Sequence, residues 1–183
     1  MTQVSPKLFK ALLFVLPLVL IAGLFKAIPH LPNFSPELVF TALIGASFSR
    51  RAQLLLVLLM LVVCDLLYSL TSPYPVFGSW TVITYSGFLL IGLSASWTRF
   101  NPKRWSFVGY SVSAALAFWI WTNFFVWLTI GIYPKTLTGL LACFVAALPF
   151  LAYSLFSATF WSVVCRYFYN LPALRASLQQ ARL

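Results

Sequence analysis

The chain alternates between long apolar runs and short connections that carry most of its charge. A helix rises ~1.5 Å per residue, so about 20 apolar residues cross the ~30 Å hydrocarbon core of a bilayer. Six runs approach that length. The pattern predicts one domain over residues 1–183, an all-α polytopic membrane protein with six transmembrane helices. The predicted spans are residues 8–28, 36–50, 52–70, 80–97, 106–130 and 151–169.

The segment after the fifth span is too long for one membrane helix. From Lys135 to Tyr169 a single helix would extend ~50 Å, far more than a span needs. Pro149 divides this segment, because proline is favoured in the first turn of a helix and disfavoured inside one. We therefore predict a short outer helix over residues 136–148, followed by the sixth span.

Positive charges in the connections predict the orientation. With both termini in the cytoplasm, ten Lys and Arg residues lie inside and only Lys26 and Lys135 lie outside, as the positive-inside rule requires. If the short second run were re-entrant, five spans with an outer N-terminus would give nine against three. Charge bias thus favours six spans by a small margin. The predicted inner residues are Lys7, Lys10, Arg50, Arg51, Arg99, Lys103, Arg104, Arg166, Arg175 and Arg182.

Composition narrows the class of protein. The chain is 62% hydrophobic and 18% aromatic, and its mean hydropathy is +0.95. The net charge of +10 would indicate a nucleic-acid partner in a soluble protein, but here the basic residues orient spans, so no such partner is predicted. Cys64, Cys143 and Cys165 lie in apolar runs without metal or disulfide spacing, which predicts buried apolar residues.

The sequence lacks the residue sets that enzymes use. One histidine and two acidic residues leave little acid–base chemistry, and neither a Ser-His-Asp grouping nor H-E-x-x-H is present. A glycine-rich phosphate loop is also missing. We therefore predict no enzyme, no catalytic residue, no resident metal and no cofactor.

Polar side chains concentrate in the predicted outer halves of the spans. Asp65 falls ~7.5 Å below the outer end of the third span, where a carboxylate is costly unless it is paired or faces water. It is a candidate ligand-binding residue, with a structural pair to Lys135 as the alternative. Trp80, Trp127 and Asn123 are candidates too. The alternatives are an aromatic belt for the two tryptophans and an interhelical hydrogen bond for Asn123. The further candidates for substrate binding are Tyr68, Thr84, Tyr85, Trp119 and Lys135.

The first outer connection, HLPNFSPE at residues 30–37, gathers the only histidine and one of the two acids. Its prolines fix φ and bias the preceding residues to extended geometry, so the connection is stiff. We interpret it as part of a lid over a cavity, with His30 and Asn33 as ligand contacts. Ser35 is expected to cap the second helix and Glu37 to stabilise its first turn.

Three stretches carry a resemblance: NFSPE leading to RR, the aspartate of CDLLYS, and TNFFVW with YPKTLTGLLACFVAALPF. Over roughly residues 33–164 they resemble a bacterial family of small membrane proteins grouped with the S components of energy-coupling-factor transporters. The resemblance implies a six-helix, vitamin-uptake subunit of the bacterial inner membrane. The nearest characterised kin are solitary cobalamin transporters of the BtuM type, whose outer His and third-span Asp fall on His30 and Asp65. With a corrinoid ligand, His30 is expected to coordinate its metal.

The same resemblance implies partners and an alternative. Besides the lipid bilayer and a vitamin-like ligand, it implies a T component with ATPases, which docks on a small-xxx-small motif of the first helix. Here that helix offers only Gly23 and Ala27, at its outer end. The alternative function is a non-transporting scaffold of the MreD type, which resembles S components in fold. An intramembrane Asp65 in an aromatic-lined outer cavity favours uptake over that scaffold.

Overall fold

The computed structural model describes residues 6–73, 75–98 and 104–169. Within these residues the protein is all-helical, as predicted, and the predicted short outer helix is present as α6. Arg99, Lys103, Arg175 and Arg182, which were assigned to the cytoplasmic side, lie outside the described residues. The seven helices are α1 Pro6–Ala27, α2 Glu37–Ser47, α3 Arg50–Ser69, α4 Ser79–Thr98, α5 Trp105–Thr129, α6 Leu137–Ala146 and α7 Leu148–Tyr169.

Among the described residues, four helices are long and apolar enough to cross a membrane, namely α3, α4, α5 and α7. Large apolar side chains remain exposed along them. On α5 the exposed side chains form a stripe with a spacing of four residues, made of Leu116, Ile120, Phe124 and Leu128. An apolar stripe of this length is unfavourable in water and suits lipid contact. The protein is therefore a helical membrane protein.

The described helices do not give the predicted six spans. α2 has 11 residues, about 16 Å at the helical rise, which is roughly half of a hydrocarbon core. The predicted second span, residues 36–50, is broken because Phe48 and Ser49 are extended. By contrast, α1 has 22 residues, Pro6–Ala27, and agrees with the predicted first span over residues 8–28. For α2, an unbroken apolar run predicted a longer helix than the chain forms.

α2 occupies the centre of the bundle. Eight of its 11 residues are buried, and it contacts α1, α3, α4, α5 and α7. Gly45 permits the close approach to α4, because a Cβ added there would lie 2.3 Å from the backbone oxygen of Gly92. A helix enclosed by other helices faces little lipid, so its length need not match the bilayer. Central burial explains how α2 can be so short.

The helix directions bring matching ends together. At one end, four neighbouring helices each contribute one polar residue: Lys26, Glu37, Asp65 and Tyr85. At the other end, the guanidinium carbon of Arg50 lies 5.4 Å from the ring centre of Trp97, and that of Arg166 lies 4.3 Å from the ring centre of Trp105. Arginine over tryptophan is a favourable cation–π contact. The two ends of the bundle are thus chemically different.

Candidate ligand-binding site

A charged cluster lies at the predicted outer end of the bundle. Lys26 Nζ donates a hydrogen bond to Asp65 Oδ1 at 2.5 Å and lies 3.3 Å from Glu37 Oε1. The Tyr85 hydroxyl donates to Asp65 Oδ2 at 2.7 Å. Asp65 and Glu37 are the only acidic residues of the chain. Both carboxylate side chains therefore meet at Lys26, and the alternative pairing of Asp65 with Lys135 is wrong.

The local structure favours each charge where it stands. Lys26 is in the last turn of α1 and Glu37 is in the first turn of α2, where the helix dipole stabilises a cation and an anion respectively. The side chains are 26%, 8% and 15% exposed for Lys26, Glu37 and Asp65. An unpaired charge at such burial would cost several kcal/mol. The three groups thus depend on one another.

Two cavities open onto this cluster, and together we call them the outer chamber. The first cavity, about 370 Å³, lies against α7, and the second, about 360 Å³, lies between α3 and α4. Five residues line both: Lys26, Glu37, Tyr68, Thr84 and Phe88. The outer chamber therefore surrounds the Lys26 ammonium and the Glu37 carboxylate with aromatic and hydroxyl groups.

The first outer connection forms one wall of the outer chamber. The ring of Phe34 lies 5.5 Å from that of Phe156 and 5.6 Å from that of Phe160, both on α7. Ser157 Oγ donates to the backbone oxygen of Ser35 at 2.9 Å. Asn33 has a left-handed backbone with φ of 57°, which asparagine tolerates better than most residues. The connection is held firmly against α7.

The cap predicted for α2 is wrong in detail. The helix begins at Glu37, and Pro36 occupies the capping position without a side-chain hydrogen bond. Ser35 Oγ instead donates to Glu37 Oε2 at a long 3.5 Å. Ser35 therefore faces the carboxylate rather than the backbone, which adds a hydroxyl to the wall of the first cavity.

Seven of the residues predicted for substrate binding line the outer chamber. They are His30, Asn33, Asp65, Tyr68, Trp80, Thr84 and Tyr85. They come from the first connection, α3 and α4, so the structure brings together residues up to 55 positions apart in the chain. His30 is exposed at the edge, and its Nδ1 lies 2.8 Å from the backbone oxygen of Ile28.

The other four predicted residues lie outside the two cavities, on α5 and on the connection that follows it. They are Trp119, Asn123, Trp127 and Lys135. The indole N–H groups of Trp119 and Trp127 donate to the backbone oxygens of Ala147 and Pro134, each at 2.9 Å. Lys135 Nζ donates to the backbone oxygen of Trp127. Asn123 donates to the oxygen of Trp119 in its own helix at 2.8 Å. Every partner here is a backbone oxygen, which is typical of structural contacts.

Sequence reasoning missed the central roles of Lys26 and Glu37. Lys26 was treated as an orienting charge, and Glu37 as a helix-starting residue, although Glu37 is only 6% exposed. A count of the charged residues could have predicted that Lys26 pairs with Asp65. The chain has two acids, and Lys26 and Lys135 were its only predicted outer cations, so a buried Asp65 had few possible partners.

The three cysteines are free and buried, as predicted. Burial raises the pKa of the Cys143 thiol in α6, so this thiol stays protonated at neutral pH. Among the described residues, no three His, Cys, Asp or Glu side chains are arranged to hold a metal ion.

Fold and site together define a helical membrane protein with a buried ion cluster beside two cavities. The chain belongs to a family of unknown function, DUF6580, whose model matches residues 6–179 and thus all seven helices. No curated protein and no solved structure matches the chain.

Proposed function

We propose that the protein binds a small, polar-headed, vitamin-like molecule in the outer chamber and takes part in its uptake across the bacterial inner membrane, as the S components do that its motifs resemble. One observation carries the proposal: two cavities share a largely buried lysine and a buried carboxylate within a bundle of apolar helices. Ionisable groups inside a membrane are expensive and typically mark substrate or ion pathways. A cavity with a few convergent polar groups is the usual form of a small-molecule site.

The proposed topology has six crossings with both termini in the cytoplasm. In this arrangement α2 supplies the second crossing with the help of its extended flanks. Glu37 stands level with Lys26 and Asp65, while the extended Phe48 and Ser49 lead to Arg50 at the opposite end. The two arginine–tryptophan pairs would then mark the cytoplasmic interface, in agreement with the positive-inside rule.

The size of each of the two cavities favours a ligand smaller than cobalamin. Each cavity is near the lower end of the ~300–1,000 Å³ typical of sites for drug-sized ligands, and a corrinoid is larger than such ligands. One observation keeps cobalamin as a candidate. The contact of His30 Nδ1 with the Ile28 oxygen favours a proton on Nδ1, which directs the lone pair of Nε2 outward.

We further propose that the protein does not dock an energising T component through α1 in the usual way. Gly23, the small residue offered by that helix, is buried against α3. A Cβ added at Gly23 would lie 2.4 Å from Leu67 Cδ1. The close approach that this glycine permits is used within the protein, which supports a solitary mode of action like that of the cobalamin kin.

Native mass spectrometry of the purified full-length protein tests the binding proposal through a retained ligand. Thr84→Phe places a ring at a residue that lines both cavities, and its hydroxyl bonds the Trp80 oxygen of its own helix. We expect wild type to retain a small molecule and Thr84→Phe to lose it. Thr129→Phe is the matched control, because that hydroxyl bonds the Phe125 oxygen in the same way at the end of α5.

The outcomes separate uptake from the alternative. Equal retention by wild type and Thr84→Phe would place the ligand outside the outer chamber. Another outcome is that neither wild type nor the variants retain a molecule, and that the visible spectrum of cobalamin stays unchanged when it is added to wild type. In that case the scaffold of the MreD type becomes the better proposal. That second candidate is favoured by the direct pairing of Lys26 with Asp65, which satisfies both charges without a ligand.

A further inference from the structure

We infer that the outer chamber selects a ligand with a protonated amine or another compact cation, and that Glu37 is the residue that binds this group. The inference rests on the proposed binding function and adds the chemical class of the ligand. It follows from three observations: the charge balance of the chamber, the unequal hydrogen bonding of its two carboxylates, and the rings in its walls.

The charge balance of the outer chamber opposes that of the whole protein. The chain carries a net charge of +10, yet among the described residues the charged side chains lining the two cavities are one lysine and two carboxylates, which sum to −1. The other titratable groups there are His30, Tyr68 and Tyr85. Of these, His30 lies exposed at the edge of the first cavity. A local excess of negative charge attracts a cation.

The two carboxylates are not equally satisfied. Asp65 accepts a 2.5 Å hydrogen bond from Lys26 on one oxygen and a 2.7 Å bond from Tyr85 on the other. Glu37 Oε1 is buried 3.3 Å from the ammonium of Lys26 but accepts no hydrogen bond. Its Oε2 lies 3.5 Å from the Ser35 hydroxyl, and the carboxylate also meets the Cys64 thiol, which is a weak hydrogen-bond donor. Because Lys26 directs its short bond to Asp65, Glu37 is the carboxylate that still needs a donor.

Position and wall chemistry fit a cationic group at Glu37. Glu37 is more than nine-tenths buried and lines both cavities, so a ligand in either one meets it. Phe88 and Phe118 form part of the first cavity, and Tyr68 is shared with the second. Aromatic faces attract cations, as the 6.0 Å approach of Lys26 Nζ to the Tyr68 ring centre illustrates. A ligand with a compact cation beside an apolar ring would satisfy all of these surfaces.

An anionic ligand fits the same site poorly. Its only lysine is already hydrogen-bonded to Asp65 and adjacent to Glu37. A carboxylate or phosphate at Lys26 would therefore lie beside two other anions at low dielectric, where like charges repel strongly. The arrangement therefore disfavours an anionic ligand.

Three probes of similar size and different charge test the inference: 2-phenylethylamine, 2-phenylethanol and phenylacetate. Their affinities for the full-length protein are measured by isothermal titration calorimetry in detergent at neutral pH. A charge-assisted hydrogen bond to a buried carboxylate should make the amine bind about ten- to hundredfold more tightly than the alcohol. Phenylacetate should bind most weakly. Glu37→Gln should remove the preference for the amine.

Two further variants make the test specific. Ser154 lines the first cavity, and Ser154→Ala changes it without changing charge. This variant should keep the preference for the amine, because Ser154 Oγ donates its hydrogen bond to the Phe150 oxygen of its own helix. Glu37→Asp preserves the charge if the glutamine variant is poorly folded, and it should keep part of the preference. The inference is overturned if Glu37→Gln binds the amine like wild type, if phenylacetate binds best, or if the amine fails to bind at millimolar concentration. If phenylacetate binds best or the amine fails to bind, the proposed binding function is still supported when native mass spectrometry shows a molecule that wild type retains and Thr84→Phe loses.

Discussion

Two lysines at the same end of the protein have opposite surroundings. Lys26 is three-quarters buried and meets both acids of the chain. Lys135 is exposed, donates to the backbone oxygen of Trp127, and lies with its Nζ 5.6 Å from the ring centre of that residue. Both were predicted as outer cations from the sequence. The buried Lys26 thus belongs to a site that depends on ion pairing. The exposed Lys135 is a solvated cation in contact with the protein surface.

The contrast extends to the two parts of the bundle that hold these lysines. The α1–α4 part contains the charged cluster and the close packing of α2 on α4 through Gly45. The α5–α7 part is joined by indole N–H groups that donate to backbone oxygens, as Trp119 does to Ala147. The charged groups of the outer chamber thus belong to the first part, and the second contributes neutral wall residues such as Phe118 and Ser154.

Replacing each lysine by methionine should give the largest difference. In Lys26→Met, Asp65 and Glu37 lose their common counter-ion, which for a buried pair costs ~3–5 kcal/mol. Lys135→Met loses an exposed contact and should cost less than ~1 kcal/mol. Denaturant titration of both variants in detergent micelles measures the free energy of unfolding. Equal losses would show that burial does not distinguish the two lysines.

Alanine at two glycines should give a smaller, still clear difference. A Cβ at Gly45 would lie 2.3 Å from the Gly92 oxygen and 2.9 Å from Ala95 Cβ, so α2 and α4 must separate. Overpacking of this kind costs ~1–3 kcal/mol. Gly109 on α5 has no atom within 4 Å of its added Cβ, so Gly109→Ala should be neutral or stabilising. A neutral Gly45→Ala would show that the close approach of α2 and α4 is dispensable.

The sequence allowed good prediction of the helices that face lipid. The predicted spans over residues 52–70, 80–97 and 106–130 agree with α3, α4 and α5 within two residues at each end. Charged or polar residues bound these apolar runs, so hydropathy alone finds their limits. The length and enclosed position of α2 were not predicted, because this helix is apolar on all sides. Hydropathy does not distinguish a helix enclosed by protein from one exposed to lipid.

The site could be predicted only in part, for a related reason. Asp65 stood out because a carboxylate in a span is rare, and its neighbours on α3 and α4 followed from helical spacing. Its partner Lys26 is 39 residues away, and the pairing depends on α1 and α3 running side by side. Trp119, Asn123 and Trp127 follow one another on α5 at the predicted helical spacing, but the contacts of this stripe with the chain after α5 depend on tertiary packing.

The smallest expected effect tests whether the α5–α7 part is only supportive. Trp119→Phe keeps an aromatic ring and removes the 2.9 Å bond from its indole to the Ala147 oxygen, which should cost ~0.5–1.5 kcal/mol of unfolding free energy. Tyr85→Phe is the matched variant in the α1–α4 part, where the lost 2.7 Å bond goes to the Asp65 carboxylate. We expect Trp119→Phe to keep any molecule retained by wild type in native mass spectrometry and Tyr85→Phe to retain less. Loss of the molecule from a stably folded Trp119→Phe would instead make Trp119 a ligand-binding residue, as its place in the sequence pattern predicts, and would extend the site along α5 toward α6.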